Sequence, residues 1–277
     1  RCLILIFGGG ILGDLVGFVC STYMRGVNYV QIPTTLLAMV DSSVGGKTAI
    51  NFYKGKNLIG SFYQPKMIFC DPTLLKTLPK KEIYNGLGEI LKYAIINKKI
   101  YNLLNFKNNF SLSDNIINSK FFKNIIFECI KTKLEIVKKD EKEILGLREK
   151  LNLGHTIAHA IETTTKYKIY SHGEAVILGL IAESFLSYKM KILPDDEFEK
   201  IMCLVENYLK SKKFDKTLLK VSKEKIFRVI QYDKKVYQKN FRFALPIQVG
   251  EVKTVENIDK NSILQSISFL QQWIKER

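Results

Sequence analysis

The 277-residue sequence has no apolar run approaching the roughly 18 residues that a membrane-spanning helix requires, so no membrane partner is expected. Its opening, RCLILIF, runs straight into three glycines, which reads as a buried strand and not as a signal peptide with a small-residue cleavage site. Arg1 in place of Met suggests a chain that begins inside a longer protein. Cysteine is sparse. Cys2, Cys20, Cys70, Cys129 and Cys203 show no short pairing, which excludes a disulfide framework or a structural zinc knuckle and points to a reducing, cytoplasmic setting. There is no internal repeat and no low-complexity stretch, and with 46% hydrophobic residues disorder and collagen-like structure are also excluded. Acidic residues are short of basic ones, and the formal net charge is +16. An anionic partner is one explanation; lysine spread over solvated faces is the plainer one. No basic tail stands out, and no basic stripe interleaves with aromatics, so a nucleic-acid partner is not expected.

What is present falls into two styles. Residues 3–72 are rich in glycine and β-branched residues. LILIF (3–7), VNYVQI (27–32) and KMIFCD (66–71) read as buried parallel strands, and GGGILGDLVGFVCSTYM between the first two reads as a glycine turn opening a helix. Strand, turn, helix, strand is a βαβ unit. After Leu78-Pro79 the periodicity becomes helical over 86–97, 122–143, 149–166, 173–191 and the stretch after Pro194. The predicted architecture is α/β plus α: an α/β nucleotide-binding half followed by a mostly helical half, with the boundary near 75–82.

Scarcity sharpens the functional reading. The three histidines, His155, His159 and His172, all fall within one short stretch. His155 and His159 are one helical turn apart, and Arg148 and Asn152 are predicted to extend the same face. Arg, Asn, His and His on one face of an apolar helix suit a lined pocket better than a packed core. Ser171 and Glu174 are predicted to form a capping box around His172. Two imidazoles and one carboxylate make a catalytic zinc set, and Glu89 in the apolar GLGEILKYAII is the best candidate for the carboxylate. Lys92 lies three residues on, along the same face. The turn GGGILGD (8–14) follows a strand and opens a helix, the context in which backbone N–H groups meet a pyrophosphate, although its spacing is not GxGxxG. DSSVGGKTAIN (41–51) resembles a Walker A loop but lacks its spacing; Asp41 and Lys47 remain candidates to line an anion site on this glycine-rich polar loop.

GGGILGDLVGF, TYMRGVNYVQIPTTLLAMVDSSVGGKTAIN, GKNLIGSFYQP, GLGEILKY, LNLGHTIAHAIE and SHGEAV, in that order, resemble the 3-dehydroquinate synthase family. The likeness continues to DKK (233–235) and RFALP (242–246), so it spans essentially the whole chain. It implies a carbon–oxygen lyase of the shikimate pathway that converts the seven-carbon sugar acid phosphate DAHP to 3-dehydroquinate and phosphate. The resemblance implies an incomplete Rossmann-like NAD-binding α/β domain over 1–78 followed by a mostly helical metal- and substrate-binding domain over 79–277, with NAD and one divalent metal, Zn2+ or Co2+, as cofactors. The metal ligands implied are Glu89, His155 and His172. NAD would meet Gly9, Gly10, Ile11, Asp14, Thr34, Thr35, Lys56, Leu74, Leu75, Lys76 and Thr77. Substrate would meet Asp41, Lys47, Asn57, Asn85, Lys133, Arg148, Asn152 and Lys235, with Arg25 reaching a neighbouring subunit's substrate in a homodimer. Glu143 and His159 match proton acceptors; Lys92 and Asp41 would also take part in catalysis.

The family carries further strands of the NAD domain, roughly 80–90 residues, ahead of the segment at 3–7, as a doubly wound sheet requires. The EKEILGLR turn holds one residue more than the family pattern, which bears on Lys133 and Glu143, and Ala158 stands where the family often has glycine. Sister cyclases of the 2-deoxy-scyllo-inosose or valiolone type share the metal and NAD parts but differ in the substrate's acid group, so Arg148, Asn152 and Lys133 argue for DAHP. Polyol dehydrogenases lack that basic set, and a catalytically silent fragment of the fold is the remaining alternative.

Overall fold

The computed structural model describes residues 2–53, 55–105, 119–209, 213–234 and 241–277. The chain divides into two compact units, Arg1–Ile90 with Leu112–Leu147, and Leu91–Ser111 with Arg148–Arg277. The division falls inside one continuous helix, α2 (Lys80–Ile96).

In the first unit, strands β1 (Leu3–Gly8), β2 (Asn28–Pro33) and β5 (Met67–Ile68) form a parallel sheet in the order β1-β2-β5, with Leu3 opposite Asn28 and Gly8 opposite Pro33. Helix α1 (Gly10–Thr22) connects β1 to β2, as the βαβ pattern predicts. A small core of Ile6, Cys20 and Tyr29 joins the sheet to α1. Tyr29 is wholly buried, and its hydroxyl donates to the Tyr63 carbonyl at 2.7 Å, which satisfies the one polar atom it takes inside. The expectation of a buried first strand is half right. Ile6 is buried, but Leu3, Leu5 and Phe7 are more than half exposed, because side chains alternate along a strand and no described element covers that second face.

The glycine-rich polar stretch differs from the loop read in the sequence. Ala38–Ser42 makes one π-helical turn, and Lys47 begins an antiparallel hairpin of β3 (Lys47–Phe52) and β4 (Gly55–Phe62). Gly17 lets this hairpin close on α1, since a Cβ there would lie 2.6 Å from Thr48 Cγ2. Helix α4 (Lys120–Lys139) completes the unit; α3 (Lys98–Asn105) belongs to the second. Ser119 caps α4 by accepting the Phe122 N–H. The helix ends at Lys139, four residues short of the expected end, and both carboxylate oxygens of its C-cap Asp140 accept N–H groups, those of Leu145 and Leu147.

The second unit is mostly helical: α5 (His155–Thr164), α6 (His172–Lys189), α7 (Asp195–Leu209), α8 (Lys223–Lys234) and α9 (Lys260–Lys275). Helix α6 is apolar nearly all round, and most of its residues from Gly173 to Ser187 are buried. The helical expectation after Pro194 fails over 243–255, where β6 (Phe243–Gln248) and β7 (Glu251–Val255) form an antiparallel hairpin. Gly250 turns it at φ +98, and the Gly250 N–H donates to the Ile95 carbonyl at 2.8 Å. Among the described residues no helix is long and apolar enough to cross a membrane.

Candidate active site

The predicted helix over 149–166 is shorter in the structure. Leu147–Asn152 forms a 3-10 turn, Gly154 adopts φ +80, and α5 begins only at His155. Arg148 and Asn152 therefore do not extend the histidine face as an unbroken helix would have them do. Arg148 is buried at 2% exposure, while Asn152 is exposed.

The three histidines do gather. The His155 ring lies 5.5 Å from that of His159 and 5.4 Å from that of His172. Each of the two expected ligands is oriented through Nδ1. His155 Nδ1 lies 3.0 Å from the Leu153 carbonyl, and His172 Nδ1 lies 3.4 Å from an oxygen of the buried Glu162. A ring nitrogen engaged by a carbonyl or carboxylate fixes the tautomer and aims Nε2 at a metal, as supporting partners of metal-bound histidines do. Ser171 and Glu174 form the expected capping box, which places His172 on the first turn of α6. Glu89, wholly buried on α2, completes the set: Glu89, His155 and His172 each offer a ligand atom, all within 4.8 Å of one another. Two imidazoles and a carboxylate suit zinc or cobalt, and three protein ligands leave a position open for substrate.

Two supporting acids escape the sequence reading. Glu162 follows His155 by two helical turns, and Glu183 interrupts an otherwise apolar helix; both positions are visible as acids among hydrophobes. Glu183 is wholly buried and accepts the N–H groups of Gly154 at 2.6 Å and Ile157 at 3.1 Å.

The first unit carries a second polar group. Lys133, nearly buried on α4, donates to the Asp41 carbonyl at 2.8 Å and lies 2.9 Å from the Asp41 carboxylate. Lys47 meets Glu143 at 2.7 Å. Asp14, on α1, is pushed up to about 6 from its ordinary 3.8 because burial opposes its ionisation; the Lys133 charge works against the rise, and Asp41 adds to it. A carboxyl raised in the folded state contributes stability fully present below 3.8 and lost as pH rises through about 6. Asp14→Asn is therefore expected to gain thermal stability relative to the unchanged chain across that window and to show a constant difference outside it. Thermal unfolding over a pH series measures this, and parallel curves through the window would contradict it.

The glycine turn is tight. A Cβ on Gly9 would lie 3.0 Å from Thr35 Cγ2, and one on Gly10 2.7 Å from Ser42 Oγ. Gly9, Gly10, Asp14, Thr34 and Thr35 thus belong to one turn and the segment against it, with Ile11 exposed beside them. Leu74, Lys76 and Thr77 lie on the 3-10 turn Pro72–Thr77, which Asp71 caps; Leu75 is wholly buried there, so its side chain belongs to the core. Lys56 and Asn57 are exposed on β4, Asn85 donates to Glu82 on α2 at 3.1 Å, and Lys92 is buried on α2. Arg25 is exposed at φ +63 on the bend after α1. Lys235 lies outside the described residues.

A parallel sheet with a glycine turn, followed by helices that bring two imidazoles and a carboxylate together, defines the class: the fold is that of the sugar phosphate cyclases. The structure matches 2-epi-5-epi-valiolone synthase from Streptomyces hygroscopicus subsp. jinggangensis, solved with NAD+ and Zn2+, at a TM-score of 0.85 and 24% identity over 98% of this chain and 74% of that one. It matches 2-deoxy-scyllo-inosose synthase, solved with carbaglucose-6-phosphate, NAD+ and Co2+, at a TM-score of 0.78 and 26% identity over 96% of this chain and 73% of that one. In sequence, the family model described as 3-dehydroquinate synthase N-terminal matches residues 1–85, and the C-terminal one residues 86–236. A 3-dehydroquinate synthase from Buchnera aphidicola subsp. Cinara cedri is 44% identical over 269 residues, 97% of this chain and 72% of that protein. The chain belongs to the 3-dehydroquinate synthase family.

Proposed function

We propose that the chain acts as a 3-dehydroquinate synthase, converting DAHP to 3-dehydroquinate and inorganic phosphate. The observation that carries this is the Glu89, His155, His172 cluster in a chain matched by both family models. The donor set suits Zn2+ or Co2+. The glycine turn between β1 and α1, whose N-cap Gly9 carries no side chain over the first N–H groups of the helix, suits the close backbone approach of the NAD pyrophosphate. When bound, the metal polarises a substrate hydroxyl, and NAD takes up and returns a hydride.

The remaining work belongs to the chain's own residues. Arg148 holds the substrate carboxylate through its planar fork; only six of the chain's 43 basic residues are arginine, so its use here fits a bidentate demand. Lys133, with Asp41 setting its position, adds charge beside it. Lys47, Lys235 and Arg25 neutralise the phosphate, Arg25 from a neighbouring subunit of a homodimer. Glu143 and His159 accept protons, with Lys92 assisting. Asn57, Asn85 and Asn152 orient substrate hydroxyls. NAD is held by Gly9, Gly10, Ile11, Asp14, Thr34, Thr35, Lys56 and the Leu74–Thr77 turn, with Leu75 acting through its backbone. In this reading residues 1–78 form the NAD-binding part and 79–277 the metal and substrate part of a cytoplasmic enzyme.

The test is phosphate release from DAHP with added NAD and zinc, repeated with a chelator and without NAD. Release that requires both, with no NADH accumulating, is the expected result. Release from glucose 6-phosphate instead would favour a sister cyclase, and no release from either would favour a silent fragment of the fold.

A further inference from the structure

Helix α5 begins with a problem that its own sequence does not solve. Its N-cap is Gly154, which has no side chain to accept the N–H groups of the first turn. Glycine is required there: φ is +80, and a Cβ would lie 2.9 Å from Leu180 Cδ2 and 3.1 Å from the Val176 carbonyl oxygen. The helix is capped instead from α6. One carboxylate oxygen of Glu183 accepts the N–H of the N-cap Gly154, and the other accepts that of Ile157, the third residue of the helix. These are the two N–H groups that the two side chains of a capping box normally satisfy. A single carboxylate, wholly buried, takes both places and sets a negative charge at the positive end of the helix.

Between those two bonds lie His155 and Thr156. The partner of His155 Nδ1 is the carbonyl of Leu153, the residue that precedes the anchored Gly154. We propose that Glu183 is a positioning residue for the metal centre, which fixes the backbone on both sides of His155 and thereby the direction of its imidazole. It touches neither substrate nor metal. The inference rests on the metal reading of Glu89, His155 and His172.

The experiment is a Co2+ titration of the metal-free chain, followed by the visible absorption of the bound ion and by competition with a chelating dye. Glu183→Gln keeps the shape but replaces one acceptor oxygen by a donor, so one buried N–H loses its partner. The expected result is Co2+ binding about 10–100-fold weaker, the range seen when partners of metal ligands are removed, with a shifted visible band. Leu186→Ala, a wholly buried apolar position on the same helix, controls for stability alone and is expected to melt earlier while binding Co2+ as the unchanged chain does. Should the glutamine variant not fold, Glu183→Asp carries the same test, with an expected affinity between the two. A Glu183 variant that binds Co2+ with unchanged affinity and spectrum overturns the inference and leaves the metal reading standing. Failure of the unchanged chain to bind Co2+ overturns both.

Discussion

His155→Ala is expected to lose metal and activity together. On the proposed ligand set, the substitution removes one of three protein ligands, and the remaining two, Glu89 and His172, do not define a tetrahedral site. A bound divalent ion supplies several kcal/mol of transition-state stabilisation, so its loss corresponds to a fall in turnover of roughly three decades or more. The fold itself has less at stake. His155 is only partly buried at the first position of α5, and the bonds that hold that helix start are backbone bonds to Glu183, which the substitution leaves in place. Zinc content after dialysis and phosphate release measured on the same sample test this. Stoichiometric zinc with full activity would remove His155 from the ligand set. His159→Ala is the informative comparison. Its ring lies 5.5 Å from that of His155, but it is exposed and outside the ligand cluster, so metal content should hold while turnover falls.

The sequence carries the gathering of the histidines with Glu89 further than it carries the local structure around them. With three histidines in the chain, all within residues 155–172, a cluster is legible from scarcity and spacing alone. Glu89 is legible because an acid among apolar residues of a helix must be satisfied inside. The partners of these residues are not, since they are set by tertiary contact. Nothing local to Glu183 says that its carboxylate reaches another helix's first turn. The break at Leu153-Gly154 is hidden for a related reason. Periodicity over 149–166 is continuous, and only the close approach of α6 to Gly154 forces the φ of +80 that separates the Arg148 turn from α5. The two hairpins escape the pattern because their registers are fixed by glycine and turn geometry and by packing partners remote in sequence. Thr48 beneath Gly17 and Ile95 against Gly250 are examples.

Gly179→Ala is expected to lower stability and metal affinity at once, although helix propensity argues for the opposite sign. In a helix interior, glycine to alanine is worth about 1 kcal/mol in favour of alanine. Here that term loses. A Cβ at position 179 would overlap the carbonyl oxygen of Gly154 and stand 2.8 Å from the Gly154 carbonyl carbon and 3.2 Å from the Ala158 nitrogen. These are backbone atoms of the α5 start, so no rotamer change relieves the clash; α5 and α6 must move apart. Overpacking of this kind costs about 1–3 kcal/mol, and more where the backbone has to shift. The same movement stretches the Glu183 bonds to Gly154 and Ile157, so the stability loss and the disturbance of His155 share one cause. For a chain of this size, each kcal/mol moves the melting temperature by roughly 2–4 °C, so a net drop of several degrees is expected. Zinc separates this from simple destabilisation. At 100 times its dissociation constant a ligand adds about 2.7 kcal/mol of stability, and a zinc concentration that does so for the unchanged chain should do measurably less for Gly179→Ala. A rise in melting temperature with an undiminished zinc effect would mean that the two helices part freely, and that the contact between Gly154 and Gly179 does not hold the metal centre in place.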